Sequence, residues 1–264
     1  MGRAPVGLGL GELIRDQRGV ADSLFGLGRI LTRQRCFDEG DVLVRESLAI
    51  AQAQQYEWRI SYAQIVLGMI ALLRADLALA EEHTRIALDY SIRIQNKIGM
   101  AQMFTALGEI ARTRGDYATA QAEYDQALVL AQELGQKARI MMVAHNLGHV
   151  SLFYGQTRRA AAYFKEALRL GQELPDKENF AMCLLGLGGV AAAEGNAQLA
   201  ARLIGAGEGA LHQLGVDLAP ADQGDYERNR ALALSLLDAE SYDGLRSEGR
   251  LLSPAEAESL GYKV

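Results

Sequence analysis

The sequence predicts an all-α protein, a solenoid of helical hairpins closed by a helical cap, and three observations carry that expectation. First, a Leu-Gly pair recurs at Leu27-Gly28, Leu67-Gly68, Leu107-Gly108, Leu147-Gly148 and Leu187-Gly188, spaced by 40 residues each time. A fixed period of this length is the mark of stacked repeats. Second, within a unit the apolar residues fall at three- and four-residue steps, as in Ala101, Phe104, Leu107, Ala111 and then Ala120, Tyr124, Ala127, Ala131. That is helical spacing, and the alternation of a strand is missing. Third, the 264 residues hold 28 glycines but only 4 prolines, with 49% hydrophobic residues. Proline is too scarce for a collagen-like or disordered chain, so the glycines call for positions in packed structure.

Each unit divides in the same way. Twelve residues after the repeat glycine stands Gly40, Ala80, Ala120, Ala160 or Ala200, and nineteen after it Ser47, Ala87, Ala127, Ala167 or Gly207. Gly115, Gly155 and Gly195 interrupt the apolar pattern between the two halves, as a short turn does. Gly135, Pro175 and Gly215 mark where the second helices stop. A lone hairpin cannot cover both apolar faces, so neighbours must stack. Five units cover residues 21–220. Residues 1–20 read as the tail of a preceding partial repeat, and residues 221–264 as a helical cap. In that cap Ser253-Pro254-Ala255-Glu256 supplies an N-cap, a first-turn proline and a capping-box glutamate.

These residues resemble the tetratricopeptide (TPR) repeat: Leu107-Gly108, Gly115-Asp116-Tyr117, Ala120, Tyr124 and Ala127-Leu128 match its pattern, and so do Leu147-Gly148, Gly155, Ala160, Phe164 and Ala167-Leu168. Such repeats usually have about 34 residues, so the extra length is expected in a longer second helix and the connection after it. The stretch from Ala200, with PADQGDYER at 220–228 and EGRLLSPAEA at 248–257, resembles the segment that closes the TPR region of bacterial ATPase-type regulators of the LuxR, AfsR and MalT kind. The resemblance implies a superhelical solenoid that docks protein or peptide partners or the other domains of a larger regulator. A small-molecule effector sensor and a free-standing TPR adaptor are the alternatives it leaves open.

The chemistry is that of a binding protein. Lys+Arg 27 against Asp+Glu 33 gives a net charge of -6, which offers no basic field for nucleic acid. The longest apolar run, Phe180 to Ala193, is too short to span a bilayer, and the first residues lack a secretory signal, so a cytoplasmic protein is expected. No Gly-Lys pair exists to form a phosphate-binding loop. Gly7-Leu8-Gly9-Leu10-Gly11 and Gly205-Ala206-Gly207-Glu208-Gly209 sit in helical register and follow no strand, so no nucleotide or other cofactor is expected. Cys36 and Cys183 read as reduced thiols. His145 and His149 share a helix face at the spacing of a two-histidine zinc site, but Asn146 stands where a zincin carries its glutamate. With no third ligand evident nearby, they read as solvated or groove-lining side chains, and neither a metal nor a catalytic site is expected. Asp222 and Asp225 read as solvated first-turn charges.

What remains is the face of the first helices. In TPR arrays these line the concave groove, and the inward positions map to Phe25, Arg29 and Arg33; to Tyr62, Ile65, Met69 and Leu73; to Gln102, Thr105, Glu109 and Arg112; and to Met142, His145, His149 and Phe153. The N-terminal part of this lining is apolar and basic. It suits an extended peptide or helix with apolar anchors and a carboxylate. Self-association is left open.

Overall fold

The computed structural model describes residues 16–174 and 176–264. Within them the chain forms ten helices in five hairpins, then three shorter helices. The hairpins are α1 (Gln17–Arg33) with α2 (Phe37–Ala53), α3 (Glu57–Leu73) with α4 (Leu77–Arg93), α5 (Lys97–Thr113) with α6 (Tyr117–Glu133), α7 (Lys137–Phe153) with α8 (Thr157–Glu173), and α9 (Lys177–Ala193) with α10 (Ala197–Leu214). After them come α11 (Pro220–Ser235), α12 (Ala239–Arg250) and α13 (Pro254–Gly261). No strand occurs among the described residues. None of these helices is long and apolar enough to cross a membrane. Residues 1–15, which hold most of the partial-repeat tail expected at 1–20 and the Gly7–Gly11 run, lie outside the described residues, as does Pro175, while Gln17–Val20 belong to α1.

The true modulus of the fold is 20 residues, half the repeat seen in the sequence. First and second helices alike have 17 residues from α1 to α9, separated by three-residue turns. In the first four units the two helices are thus of equal length and the connections equally short, where the sequence pointed to a longer second helix and a longer connection after it. The turn explains the regularity. Its first residue caps the preceding helix, its second takes the left-handed conformation, and its third is the N-cap of the next helix. The left-handed residues are Arg35, Gln55, Ala75, Gln95, Gly115, Gly135, Gly155, Gly195 and Gly215. Each lets the following amide reach back over the helix end, as Asp76 N–H does to the Ala71 carbonyl at 2.9 Å and Asn196 N–H to Ala191 at 2.8 Å. Orphan carbonyls of the last turn are thereby satisfied. Asp76, Asn96, Asp116, Asp176 and Asn196 then accept an amide of the next helix, at 3.1, 3.1, 3.1, 3.0 and 3.3 Å.

Four of these left-handed positions are not glycine, and a Cβ there is strained by roughly 1–2 kcal/mol. Ala75 is exposed at φ 59°. Ala75→Gly is therefore expected to raise the melting temperature, with a gain of about 0.5–1 kcal/mol after the added freedom of the unfolded chain is counted. A lower melting temperature would contradict the turn assignment.

The Leu-Gly positions do what a missing side chain allows. A Cβ built at Gly108 would lie 2.5 Å from the Tyr124 ring, at Gly148 2.6 Å from Phe164, and at Gly188 2.8 Å from Ile204. Each partner stands sixteen residues later on the second helix of the same hairpin, so the glycine seats the ring or branch that closes it. Gly186, the residue just before the fifth Leu-Gly, also meets the Phe164 ring, at 2.4 Å. Leu67, Leu147 and Leu187 are buried, whereas Leu27 is 51% exposed. Among the described residues no helix precedes α1 to cover it.

The described chain divides into two compact units, with the boundary between Leu107 and Gly108 inside α5. The first has a core of Phe25, Val44, Leu48, Ile60, Val66 and Ile70. The second is built round Phe164, Leu168, Leu184, Leu187, Leu203 and Tyr242. In it α12 crosses α10 at very short range. A Cβ at Gly205 would come within 2.0 Å of the Arg246 carbonyl oxygen, and one at Gly249 within 2.1 Å of the Arg202 carbonyl oxygen. The Gly205–Gly209 stretch is thus a helix-crossing surface. Beside it Glu208 accepts from Tyr226 at 2.6 Å, Arg246 at 2.7 Å and Arg250 at 2.7 Å. The last helix opens as its sequence implies, with Ser253 and Glu256 forming a capping box. Gly244, a weak helix former, lies within a continuous α12.

Candidate functional site

The most chemically dense place in the molecule lies within the second unit, where α11 lies against α9 and sends its side chains onto α5 and α7. Asp222, Asp225 and Arg228 recur at three-residue steps and so share one face of α11. Arg112, near the end of α5, meets that face with both guanidinium nitrogens. Its Nη1 donates to Asp225 Oδ2 at 2.6 Å, and Nη2 donates to Asp222 Oδ1 at 2.6 Å and to Asn146 Oδ1 at 3.3 Å. The other Asp225 oxygen accepts from the Tyr117 hydroxyl at 2.9 Å and pairs with Arg228. Tyr117 in turn stacks on Phe153, centroids 3.7 Å apart at 7°, with the Arg228 guanidinium over both rings. Arg112 and Asp225 are fully removed from solvent at the side chain, 2% and 0% exposed. Asn229 completes the seat by lying where a Cβ on Gly189 would be.

The two histidines line the same place. His145 Nε2 lies 3.5 Å from Asp222 Oδ1, and His149 Nδ1 lies 3.4 Å from Asp225 Oδ2. The imidazoles are edge to face, 4.7 Å apart, and both pack on the Phe164 ring. None of their four ring nitrogens has a hydrogen-bond partner.

Burial and charge set the ionisation. Burial raises Asp222 and Asp225, but attraction to Arg112, to Arg228 and, once it is protonated in acid, to His149 outweighs it. Arg112 does most for Asp222; His149, then Arg112 and Arg228, act on Asp225, and both carboxyls end below the usual range. Burial alone would lower Arg112, yet the two aspartates hold it well above its ordinary value. Glu109, one turn before Arg112, is raised to about 7 by burial and by Asp222, against the pull of Arg112. His149 is pushed down to about 3, chiefly by burial, so its imidazole is neutral near pH 7. Burial also pushes the Cys183 thiol up, which leaves it unreactive.

The residues expected to line a groove thus fall into different environments. Arg112, His145 and His149 come together, but beneath α11. Asp222 and Asp225, expected to be solvated, are the side chains that cover them, because only they can neutralise Arg112 there. They also bring a carboxylate beside the histidines, the third ligand type that no nearby stretch of sequence contains. Glu109 and Phe153 border this cluster, and Met142 is exposed. Gln102 is half-buried, and Thr105 is buried with its hydroxyl bonded to the Ala101 carbonyl of its own helix.

In the first unit the first-helix face is in part exposed. Met69, Leu73, Arg29 and Arg33 are exposed, Tyr62 and Ile65 half-buried, and Phe25 buried edge-on to Tyr62. Sequence reading missed two members. Trp58 packs against Tyr62 with the rings tilted by 44° and 4.8 Å apart, and Arg59 lies between the Phe25 and Trp58 rings while it pairs with Asp22 at 2.6 Å. Both lie in the turn before Tyr62, and the chain's one tryptophan was the available signal.

Comparison with known proteins places this geometry. The family model of the MalT-like TPR region matches residues 28–226, most of the chain. The chain belongs to the MalT-like TPR family. Two solved structures share its fold. BtubC (BKLC) from P. vanneervenii is 21% identical, with a TM-score of 0.64 over 80% of this chain and 87% of that one. Pseudomonas aeruginosa pilF is 20% identical, with a TM-score of 0.56 over 88% and 99%. A comparison with curated protein sequences returns no match. The fold of the MalT-like TPR chain is that of a protein-interaction scaffold, a class that is in general non-catalytic.

Proposed function

We propose that this MalT-like TPR chain is the partner-docking or sensing region of a bacterial signal-transduction ATPase or transcriptional regulator. It works in the cytoplasm by binding and without catalysis. The observation that carries the reading is α11 itself, a helix seated on the first-helix face of the second unit by a buried arginine, a carboxylate pair and stacked rings. Those are the means by which such a face takes a helical partner. The first-helix face of the first unit, with exposed Trp58, Met69 and Leu73 and the cations Arg29 and Arg33, is the partly exposed counterpart. It suits a segment with apolar anchors and an acidic group. Aromatic anchors flanked by arginine are the side chains that dominate binding energy at interfaces.

The test is site-specific photocrosslinking in the source cells, with a photoreactive phenylalanine analogue at position 69 and, as control, at the exposed outer position 129. Discrete protein adducts from position 69, absent from position 129 and lost when Trp58→Ala is added, are expected. The same adduct pattern from both positions would overturn the proposal.

A further inference from the structure

We propose that His145, His149 and Asp222 form a binding site for a divalent transition metal of the zinc type, which fastens α11 to α7. The three residues are brought together from two helices, with their ligand atoms all within 4.8 Å of one another. The motivating observation is that the ring nitrogens of two buried histidines are poorly satisfied: His145 Nδ1 and His149 Nε2 have no partner, and His145 Nε2 and His149 Nδ1 stand 3.5 and 3.4 Å from aspartate oxygens. Buried polar groups left unpaired carry a desolvation cost, and imidazoles next to a carboxylate are the donor set zinc takes.

The distances fit with small side-chain rotations. At Zn–N and Zn–O lengths near ~2.1 Å, the edge of a tetrahedron is about 3.4 Å. The His145 Nε2 to Asp222 Oδ1 separation is already 3.5 Å. His149, one helical turn on, closes the remaining gap by rotation about its side-chain torsions. Asp225 Oδ2, 3.4 Å from His149 Nδ1, or a water supplies a fourth position.

Arg112 is the group that must be accommodated, since it donates to Asp222 Oδ1. A carboxylate oxygen has two lone-pair directions, so Asp222 can keep that bond while facing the histidines. Arg112 then becomes the outer partner that orients the ligand, as such carboxylates commonly have. The charge of the ion falls among three carboxyl groups, Asp222, Asp225 and Glu109, and two guanidinium groups, Arg112 and Arg228. Asn146 stands where a hydrolytic zinc helix carries glutamate, and the role proposed for the metal is to hold α7 and α11 together.

The experiment titrates the full chain, stripped with chelator, with zinc chloride in a calorimeter and with cobalt(II) in a spectrophotometer. One equivalent, intense visible cobalt bands of tetrahedral coordination and a higher melting temperature are expected. His149→Gln, which keeps roughly the size and puts a polar amide in place of the imidazole, should weaken the affinity by more than the roughly 10–100-fold lost with an outer partner. Should that variant not fold, imidazole nitrogen shifts of His145 and His149 on adding zinc to the unaltered chain decide the matter. No stoichiometric binding, binding unaltered in folded His149→Gln, or imidazole shifts confined to His83 and His212 would overturn the proposal.

Discussion

Arg112→Met is expected to lower the stability of the second unit by about 3–5 kcal/mol, the usual cost of removing one partner from a buried ion pair. Methionine keeps much of the volume but leaves Asp225, with no exposed side-chain surface, and Asp222 without their shared cation. Urea unfolding measures it, and an unchanged midpoint would show that α11 is not held by this contact. The triple variant in which Asp222→Asn and Asp225→Asn are added should recover much of the loss, because amides need no counterion. The pH dependence gives an independent sign. Both aspartates have folded-state pKa values below the unfolded one of about 3.9. Their contribution is therefore complete above the unfolded value and is lost as pH falls through the folded values. In Arg112→Met both carboxyls lose the share of that depression due to Arg112, which is the largest one for Asp222, and burial raises them. The gap between variant and parent should narrow as pH is lowered from 7 towards 4.

The second large effect is expected at the crossing of α10 and α12. Gly205→Ala places a methyl about where the Arg246 carbonyl oxygen stands, at 2.0 Å, and that oxygen belongs to backbone that cannot rotate away. The helices must separate, and the loss should reach or exceed the ~1–3 kcal/mol typical of overpacking. Gly249→Ala pushes the same two helices apart, so the double variant should cost less than the sum of the singles. Gly244→Ala is the internal control. It lies on the same α12 with no atom within 4 Å of the added carbon, so the alanine should stabilise by roughly 0.5–1 kcal/mol. Thermal unfolding of the four proteins measures this, and a Gly205→Ala chain as stable as its parent would refute the close crossing.

The repeat was legible because its causes are local. The Leu-Gly pairs, their small partners and the left-handed glycines each answer to a neighbour within one hairpin, and spacing along the chain reports them directly. The 20-residue modulus was harder to see, because Arg35, Gln55, Ala75 and Gln95 hold the left-handed position without being glycine. Trp58 and Arg59 escaped notice because they stand one turn before the inward positions marked by the Leu-Gly phase.

The acidic face of α11 was read wrongly for a different reason. Aspartates in or just after a first turn are ordinarily solvated, and only the address of the helix makes these buried. That address depends on Arg112, more than a hundred residues away, whose guanidinium is itself an ordinary surface group until something covers it. By itself the sequence determined the helices, their caps and their stacking order, since these follow from periodicity and from contacts a few turns apart. Only the tertiary structure decided which part of the first-helix face stays open and which is filled from within. That choice depends on whether a desolvated charge finds its partner across the fold, and nothing in the local spacing of either residue encodes it.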